Sequence, residues 1–314
     1  MSDVVLDRGT VLVIGAGGQL GSEFTRSLRQ RGVVHRLADL EGSPDVLAVD
    51  LSRPQQLAEL VSDQRPAVVI NAAAYTAVDR AEEERELALA VNARAPEALA
   101  AACAEADALL VHFSTDYVFD GRSQRDYVEQ DPVSPINHYG LSKARGEAAV
   151  LGSAAAHLVF RTSWLYTPGG RNFVATMLRL FAGETPVRVV DDQVGCPTWA
   201  RPLAERVLDL LAGASREHLW RRRGLYHLCG GGATDWHGFA GAIREMAQPP
   251  ARAPLEPTDT AGFAAPAPRP ARSVLDCALA RERLGLELPH WREQLAMAMP
   301  EFNAHANAPS RDDG

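Results

Sequence analysis

Short, unbroken apolar runs alternate along the first half of the chain with longer segments whose apolar residues recur every three or four positions. TVLVIGA (10–16), VVHRLA (33–38), VLAVD (46–50), AVVINAA (67–73) and ALLVHFS (108–114) predict strands buried on both faces, as a parallel sheet covered by helices requires. Between them the spacing predicts helices over 19–31, 54–64, 79–90 and 93–107. Such alternation implies an α/β fold with a doubly wound sheet. Beyond residue 150 the pattern is less regular. Strands are expected over 157–164, 187–193 and 225–230, and helices over 171–182, 200–213, 234–247 and 291–299; the proline- and alanine-rich stretch 249–272 reads as an extended connection. The organisation expected is a Rossmann-type domain over 10–165, to which 185–230 returns. A smaller C-terminal substrate-binding lobe is expected from 166–184 and 231–300, with flexible termini at 1–9 and 301–314.

Composition narrows the function. A net charge of −8 argues against a nucleic-acid binder, and the one basic run, Arg221 to Arg223, reads as a solvated helix end or loop. The cysteines (Cys103, Cys196, Cys229, Cys277) are far apart and show no CxxC spacing, so they read as small reduced side chains. The histidines show no metal-ligand spacing, and no catalytic metal is expected. No signal peptide is visible, and the most apolar region is interrupted by Glu105, Asp107 and His112. A soluble cytoplasmic protein without a membrane partner is expected.

Gly15, Gly17, Gly18 and Gly21 follow the first strand and open a helix. Residues without a Cβ permit the tight turn and let backbone approach a pyrophosphate, to which the helix N-terminus offers unpaired N–H groups. Asp39 ends the second strand, where a carboxylate would bond an adenosine ribose and disfavour a 2′-phosphate; Arg36 nearby would do the reverse. NADH and NADPH both stay open, as does a merely solvated Asp39. Asp50 and Leu51, after the third strand, are either adenine-side contacts or a helix cap.

HYGLSKARGE (138–147) contains Lys143, the only lysine in the chain, four residues after Tyr139. With six tyrosines in 314 residues, chance places it there about one time in fifty. The two share a helix face. A fixed ammonium is expected to lower the phenol's pKa and to hold a ribose hydroxyl, which the planar fork of arginine would do badly. Ser114 and Thr115 sit at the carboxyl end of a strand, where α/β sites form, and would hold a substrate carbonyl oxygen.

GAGGQLG, NAAAYTAVDRAE, VNA, HFSTDYVFDG, HYGLSKARGE, FRTSWLY, NFVATMLRL, VVDDQVGCPT, GLYHLCGGG and RPARSVLD together resemble, in order, the dTDP-4-dehydrorhamnose reductases, extended short-chain dehydrogenases that reduce a 4-keto nucleotide sugar. The resemblance implies that Thr115, Tyr139 and Lys143 are the catalytic trio. It places Gly15, Gly18, Gln19 and Leu20 at the pyrophosphate, and Ala72, Ala73, Ala74 and Tyr75 along the cofactor. Thr162 and Ser163 fall near the nicotinamide of NADPH or NADH. Thr76, Val78, Asp116, Trp164 and Asn172 would face the dTDP-4-keto-6-deoxy sugar, Trp164 with core packing as its other reading. Asp191, Asp192 and Gln193 would set a turn. Arg269 would meet the diphosphate or form a structural salt bridge. A homodimer is implied by analogy. Dehydratases of the superfamily carry a glutamate after the Thr-Asp pair, whereas this chain has Tyr117. Two departures stand out: Cys196 where a small neutral residue is usual, and Ala267-Pro268-Arg269 in place of an arginine pair. The leading expectation is reduction of dTDP-4-dehydro-L-rhamnose. A reductase of another dTDP-4-keto-6-deoxy sugar, or a silent subunit like the β subunit of methionine adenosyltransferase, are the alternatives.

Overall fold

The computed structural model describes residues 4–263 and 265–306. The buried runs become strands in the expected order. β1 (Val11–Ile14) leads through the glycine turn into α1 (Gln19–Gln30), then β2 (His35–Asp39), β3 (Val46–Ala48), α2 (Pro54–Gln64) and β4 (Val68–Asn71). The helix expected over 79–90 is broken into a 3₁₀ turn at Arg80–Glu82 and a short α3 (Arg85–Leu89). A π turn (Ala90–Arg94) then runs into α4 (Ala95–Glu105), followed by β5 (Leu109–Thr115), α5 (His138–Leu151) and β6 (Ala156–Thr162). The break has a cause: Glu82 turns away to accept the N–H of His138 (2.8 Å), and the widened π turn points Asn92 inward to bond Tyr75 N–H and Ser142 Oγ (both 2.9 Å).

The second half contributes β7 (Leu165–Tyr166), α6 (Phe173–Phe181), β8 (Val187–Val190), β9 (Val194–Gly195), β10 (Thr198–Trp199), α7 (Ala200–Gly213) and α8 (Arg216–Arg221). β11 (Gly224–His227), β12 (Thr234–Asp235), α9 (Trp236–Met246), β13 (Leu255–Thr258), α10 (Thr260–Phe263), α11 (Ala278–Leu284) and α12 (Trp291–Ala306) complete it.

Seven strands form one parallel sheet in the order β11-β6-β5-β4-β1-β2-β3. The order reverses between β1 and β4, so a crevice opens at their carboxyl ends. One apolar layer, including Phe24, Leu28, Leu203 and Leu211, packs α1 and α7 on one face. A second, including Leu57, Leu99 and Cys103, packs α2 and α4 on the other. The strand expected over 187–193 does not join this sheet: β8 pairs with β13, inside a separate core built on Phe181, Phe239, Trp291 and Phe302. That core collects α6, α9 and α12, the elements of the smaller lobe.

Both termini are better ordered than expected within the described residues. Val5 and Leu6 are buried in the main core, and Val5 N–H bonds Ala214 O at 3.1 Å. Phe302 fills the second core while Asn303 accepts from Gln248 N–H, which keeps α12 going to Ala306. Residues 1–3 and 307–314 lie outside the described residues. The arginine run closes α8, with Arg221 paired to Glu217 on the surface. Among the described residues, no helix is long and apolar enough to cross a membrane.

Candidate active site

α5 is fixed at three points. Asn137 Oδ1 caps its first turn by accepting Gly140 N–H (2.7 Å), while Asn137 Nδ2 donates to Pro268 O (2.8 Å). Gly140 and Gly146 let the helix touch backbone: an added Cβ would lie 2.1 Å from Tyr117 O at Gly140 and 1.9 Å from Asn92 O at Gly146. The result holds Tyr139 and Lys143 against the end of β5. Lys143 is buried and donates to Phe113 O at 2.6 Å. Burial pulls its ammonium down to about 8, opposed by Glu147 one turn on. Glu147 is itself locked to the buried Arg161.

The tyrosine departs from expectation. Burial pushes the Tyr139 phenol up to about 12, with the Thr115 hydroxyl opposing and the Asp116 charge adding to the rise. Lys143 does not lower it, because its ammonium is turned onto the Phe113 carbonyl. The phenol is therefore protonated at neutral pH, the state a proton donor needs.

Asp116 is buried beside it and accepts three hydroxyls: Thr115 (3.0 Å), Ser163 (3.2 Å) and Ser273 (2.5 Å). Burial raises its carboxyl to about 6, and those bonds hold it down. At neutral pH the ionised carboxylate only accepts. The Thr115 proton therefore points at Asp116, and the Thr115 oxygen accepts from Tyr117 N–H (3.2 Å) and faces the Tyr139 phenol.

A cleft of about 700 Å³ runs from these groups to the glycine turn. Gly15, at φ +79°, has Ala73 Cα only 2.7 Å from where a Cβ would be, and a Cβ on Gly21 would sit 1.9 Å from Gly15 O. Gly18 precedes α1 without a side-chain cap, which leaves the first N–H groups of a twelve-residue helix facing the cleft. Asp39 clamps the turn, accepting Gly17 N–H (2.6 Å) and Leu40 N–H (2.7 Å). Gln19 Oε1, Ser114 Oγ and Thr162 Oγ1 line the same cleft as buried polar atoms without a partner among the described residues. Orphaned donors and acceptors of this kind, beside a phosphate-type turn, fit an extended polar dinucleotide. At the other end, Trp164 is held at φ +47° with its indole stacked on Trp236 (centroids 3.5 Å apart, 4° between planes). Gly195 makes room for it, since a Cβ there would lie 2.5 Å from the indole. Thr76, Val78, Gly170 and Arg171 line that end.

The family model described as RmlD substrate binding domain matches residues 9–304. The chain belongs to the dTDP-4-dehydrorhamnose reductase family. The dTDP-4-dehydrorhamnose reductase of Burkholderia thailandensis is 45% identical over 300 residues, 93% of this chain and 98% of its own length. That of Streptomyces griseus is 42% identical over 301 residues, 95% of each chain. The crystal structure of the Bacillus anthracis dTDP-4-dehydrorhamnose reductase in complex with NADP superposes with a TM-score of 0.84 at 33% identity, covering 93% of this chain and 99% of that one.

Most residues expected from the reductase pattern come together in the cleft: Gly15, Gly18, Gln19, Leu20, Asp39, Ala72, Ala73, Ala74, Thr76, Val78, Thr115, Asp116, Tyr139, Lys143, Thr162, Ser163 and Trp164. Five do not line it. Tyr75 turns its hydroxyl onto Glu84 (2.6 Å), because Asn92 holds its backbone from behind. Asp50 accepts from Ser52 N–H (2.9 Å) and Ser52 Oγ (2.7 Å) and pairs with Arg53, so it shapes the approach to α2, and Leu51 is buried in the core. Asn172 caps α6 through Ala175 N–H (3.1 Å) and spends its amide on Thr167 O and Gly170 O. Arg269 forms a bidentate pair with Asp79 (2.7 and 2.9 Å), the salt-bridge reading of that residue. Sequence reasoning assigned no role to Ser273, Trp236 or Arg171. A lone serine in RPARSVLD carries no periodic signal, whereas Arg171 directly after the glycines of PGGR, and Trp236 a few residues after a glycine run in GGATDW, are large side chains close to glycine-rich turns.

Proposed function

We propose that this chain reduces the C4 ketone of dTDP-4-dehydro-L-rhamnose to dTDP-L-rhamnose, using NADPH or NADH. The observation that carries the reading is one continuous cleft with an anion-binding helix start at one end, paired indoles at the other, and Tyr139, Thr115 and Lys143 between them. The names of the Burkholderia and Streptomyces relatives, and the NADP in the Bacillus anthracis structure, support it. The first turn of α1, with Gly15, Gly18, Gln19 and Leu20, would hold the pyrophosphate, and Asp39 the adenosine end. Ser114, Thr162 and Lys143 would bond the nicotinamide half, which supplies the hydride when bound.

Tyr139 gives its phenol proton to the C4 oxygen. Thr115, fixed by Asp116, keeps the phenol oriented for that transfer, and the Trp164–Trp236 wall with Thr76 and Val78 excludes water around the sugar. Lys143, turned onto the Phe113 carbonyl, would act on the nicotinamide ribose rather than on the phenol. As a biosynthetic reductase the protein would act as a cytoplasmic homodimer, an expectation from the family resemblance that light scattering checks.

The test is oxidation of NADPH or NADH with dTDP-4-dehydro-L-rhamnose made in situ from dTDP-4-keto-6-deoxyglucose by a 3,5-epimerase. Epimerase-dependent oxidation yielding dTDP-L-rhamnose is expected. Oxidation without the epimerase would move the substrate to another 4-keto-6-deoxy sugar.

A further inference from the structure

Three of the four cysteines, separated by tens of residues in sequence, meet in one apolar cluster beneath the active site. Cys229, at the exit of β11, is buried, and its Sγ lies 3.5 Å from Sγ of Cys277, which precedes α11 and is partly exposed. Cys196 joins the same cluster from a third segment. Both members of the close pair also point at one backbone oxygen, Leu275 O, at 4.0 Å from Cys229 and 3.9 Å from Cys277. The fourth thiol, Cys103, is buried in the opposite layer of the sheet.

From this geometry we infer that Cys229 and Cys277 form a redox-active dithiol, a modification site for hydroperoxides that closes to a disulfide. A sulfur separation of 3.5 Å needs about 1.5 Å of closure to reach a bond of about 2.05 Å, within reach of side-chain rotation. Exposure sets the order of events. Cys277 meets the oxidant first: its thiolate attacks the terminal peroxide oxygen, the O–O bond breaks, and Cys277 sulfenic acid forms with release of an alcohol, or of water from hydrogen peroxide. Cys229 sulfur then attacks the sulfenic sulfur; the S–S bond forms, hydroxide leaves, and the Cys229 proton completes a molecule of water. The neighbouring thiols, with burial added, hold the Cys229 thiol well above its ordinary range, so it waits as the resolving partner rather than reacting with the peroxide itself. Cys196, buried and without access to solvent, stays a thiol.

The pair borders the chemistry. Segment 273–277 carries Ser273, bonded to Asp116, and Cys277 on the same short stretch. Cys196 N–H meets Ser163 Oγ at 3.4 Å, and Ser163 also bonds Asp116.

The test treats the folded, full-length protein with hydrogen peroxide and maps peptides without reduction. The expected result is loss of two hydrogens from the intact mass, a Cys229–Cys277 cross-linked peptide that dithiothreitol dissolves, and Cys103 unmodified. In Cys229→Ser protein, dimedone should label Cys277, because the sulfenic acid has no resolving thiol. In Cys277→Ser protein no cross-link should form. Wild-type protein whose Cys277 goes on to sulfinic acid without a cross-link, whose link joins Cys196 to Cys229, or whose four thiols all survive would overturn the proposal.

Discussion

Lys143 shows how much one side chain can demand. Its ammonium sits buried on the Phe113 carbonyl, with Glu147 one turn away, so the site takes a compact donor on a flexible stem. Lys143→Arg keeps the charge but brings a planar fork that does not fit. Since a misplacement of about 1 Å can cost about 100-fold, turnover should drop by up to that factor with far-ultraviolet circular dichroism unchanged. Ser273 offers a second test at this scale. Its hydroxyl stabilises ionised Asp116, whose carboxyl burial raises to about 6. Turnover should fall as pH drops through about 6, where protonation stops Asp116 from fixing the Thr115 hydroxyl. Ser273→Ala removes a donor to the ionised form, so the acidic limb should move upward by about one unit. A limb that stays in place would reduce Ser273 to packing. Tyr139 and Lys143 were legible because a solitary lysine at helical spacing from a tyrosine is rare. Ser273 was not, because its meaning depends on a fold that brings it 157 positions back to Asp116.

At the scale of the element, α5 is the part on which the site depends. Its glycines are the contacts that let it lie against the Tyr117 and Asn92 carbonyls. Gly146→Ala should force the helix off the π turn, at a cost of about 1–3 kcal/mol in denaturant unfolding, and should lower turnover by displacing Tyr139 and Lys143 together. Gly213→Ala, where an added Cβ meets nothing within 4 Å, is the control and should be neutral or slightly stabilising. The strands of the main sheet were readable because burial on both faces leaves unbroken apolar runs. The short pairs β7–β10 and β9–β12 are two residues each and carry no period to read. The same is true of β13, which contains Pro257 and follows a proline-rich approach.

Across the whole molecule the two cores are tied by charge as well as by packing. Arg201 on α7 grips Glu23 on α1 (2.9 and 3.2 Å) and Glu301 on α12 (2.5 and 2.7 Å), and Thr167 donates to the same Glu23 at 2.5 Å. Glu23 is buried, so Arg201→Met would leave it with only the longer contact to Arg26 (3.7 Å) and the Thr167 hydroxyl, at a cost of about 1–3 kcal/mol in urea unfolding. Loss of under 1 kcal/mol would mean that the lobes are held by apolar contact alone. This link joins positions 178 and 100 apart, which local patterning cannot connect. The thiol cluster and the Trp164–Trp236 stack escaped the sequence for the same reason, while the chemistry concentrated in the glycine turn and HYGLSKARGE did not.

The central claim is that the Tyr139 phenol delivers the proton to the ketone within this cleft. The direct measurement compares Tyr139→Phe with wild type for turnover of dTDP-4-dehydro-L-rhamnose and for NADPH affinity by fluorescence titration. A fall in turnover of about 100-fold or more with NADPH affinity unchanged is predicted. Turnover equal to wild type would contradict it and move the proton donor elsewhere.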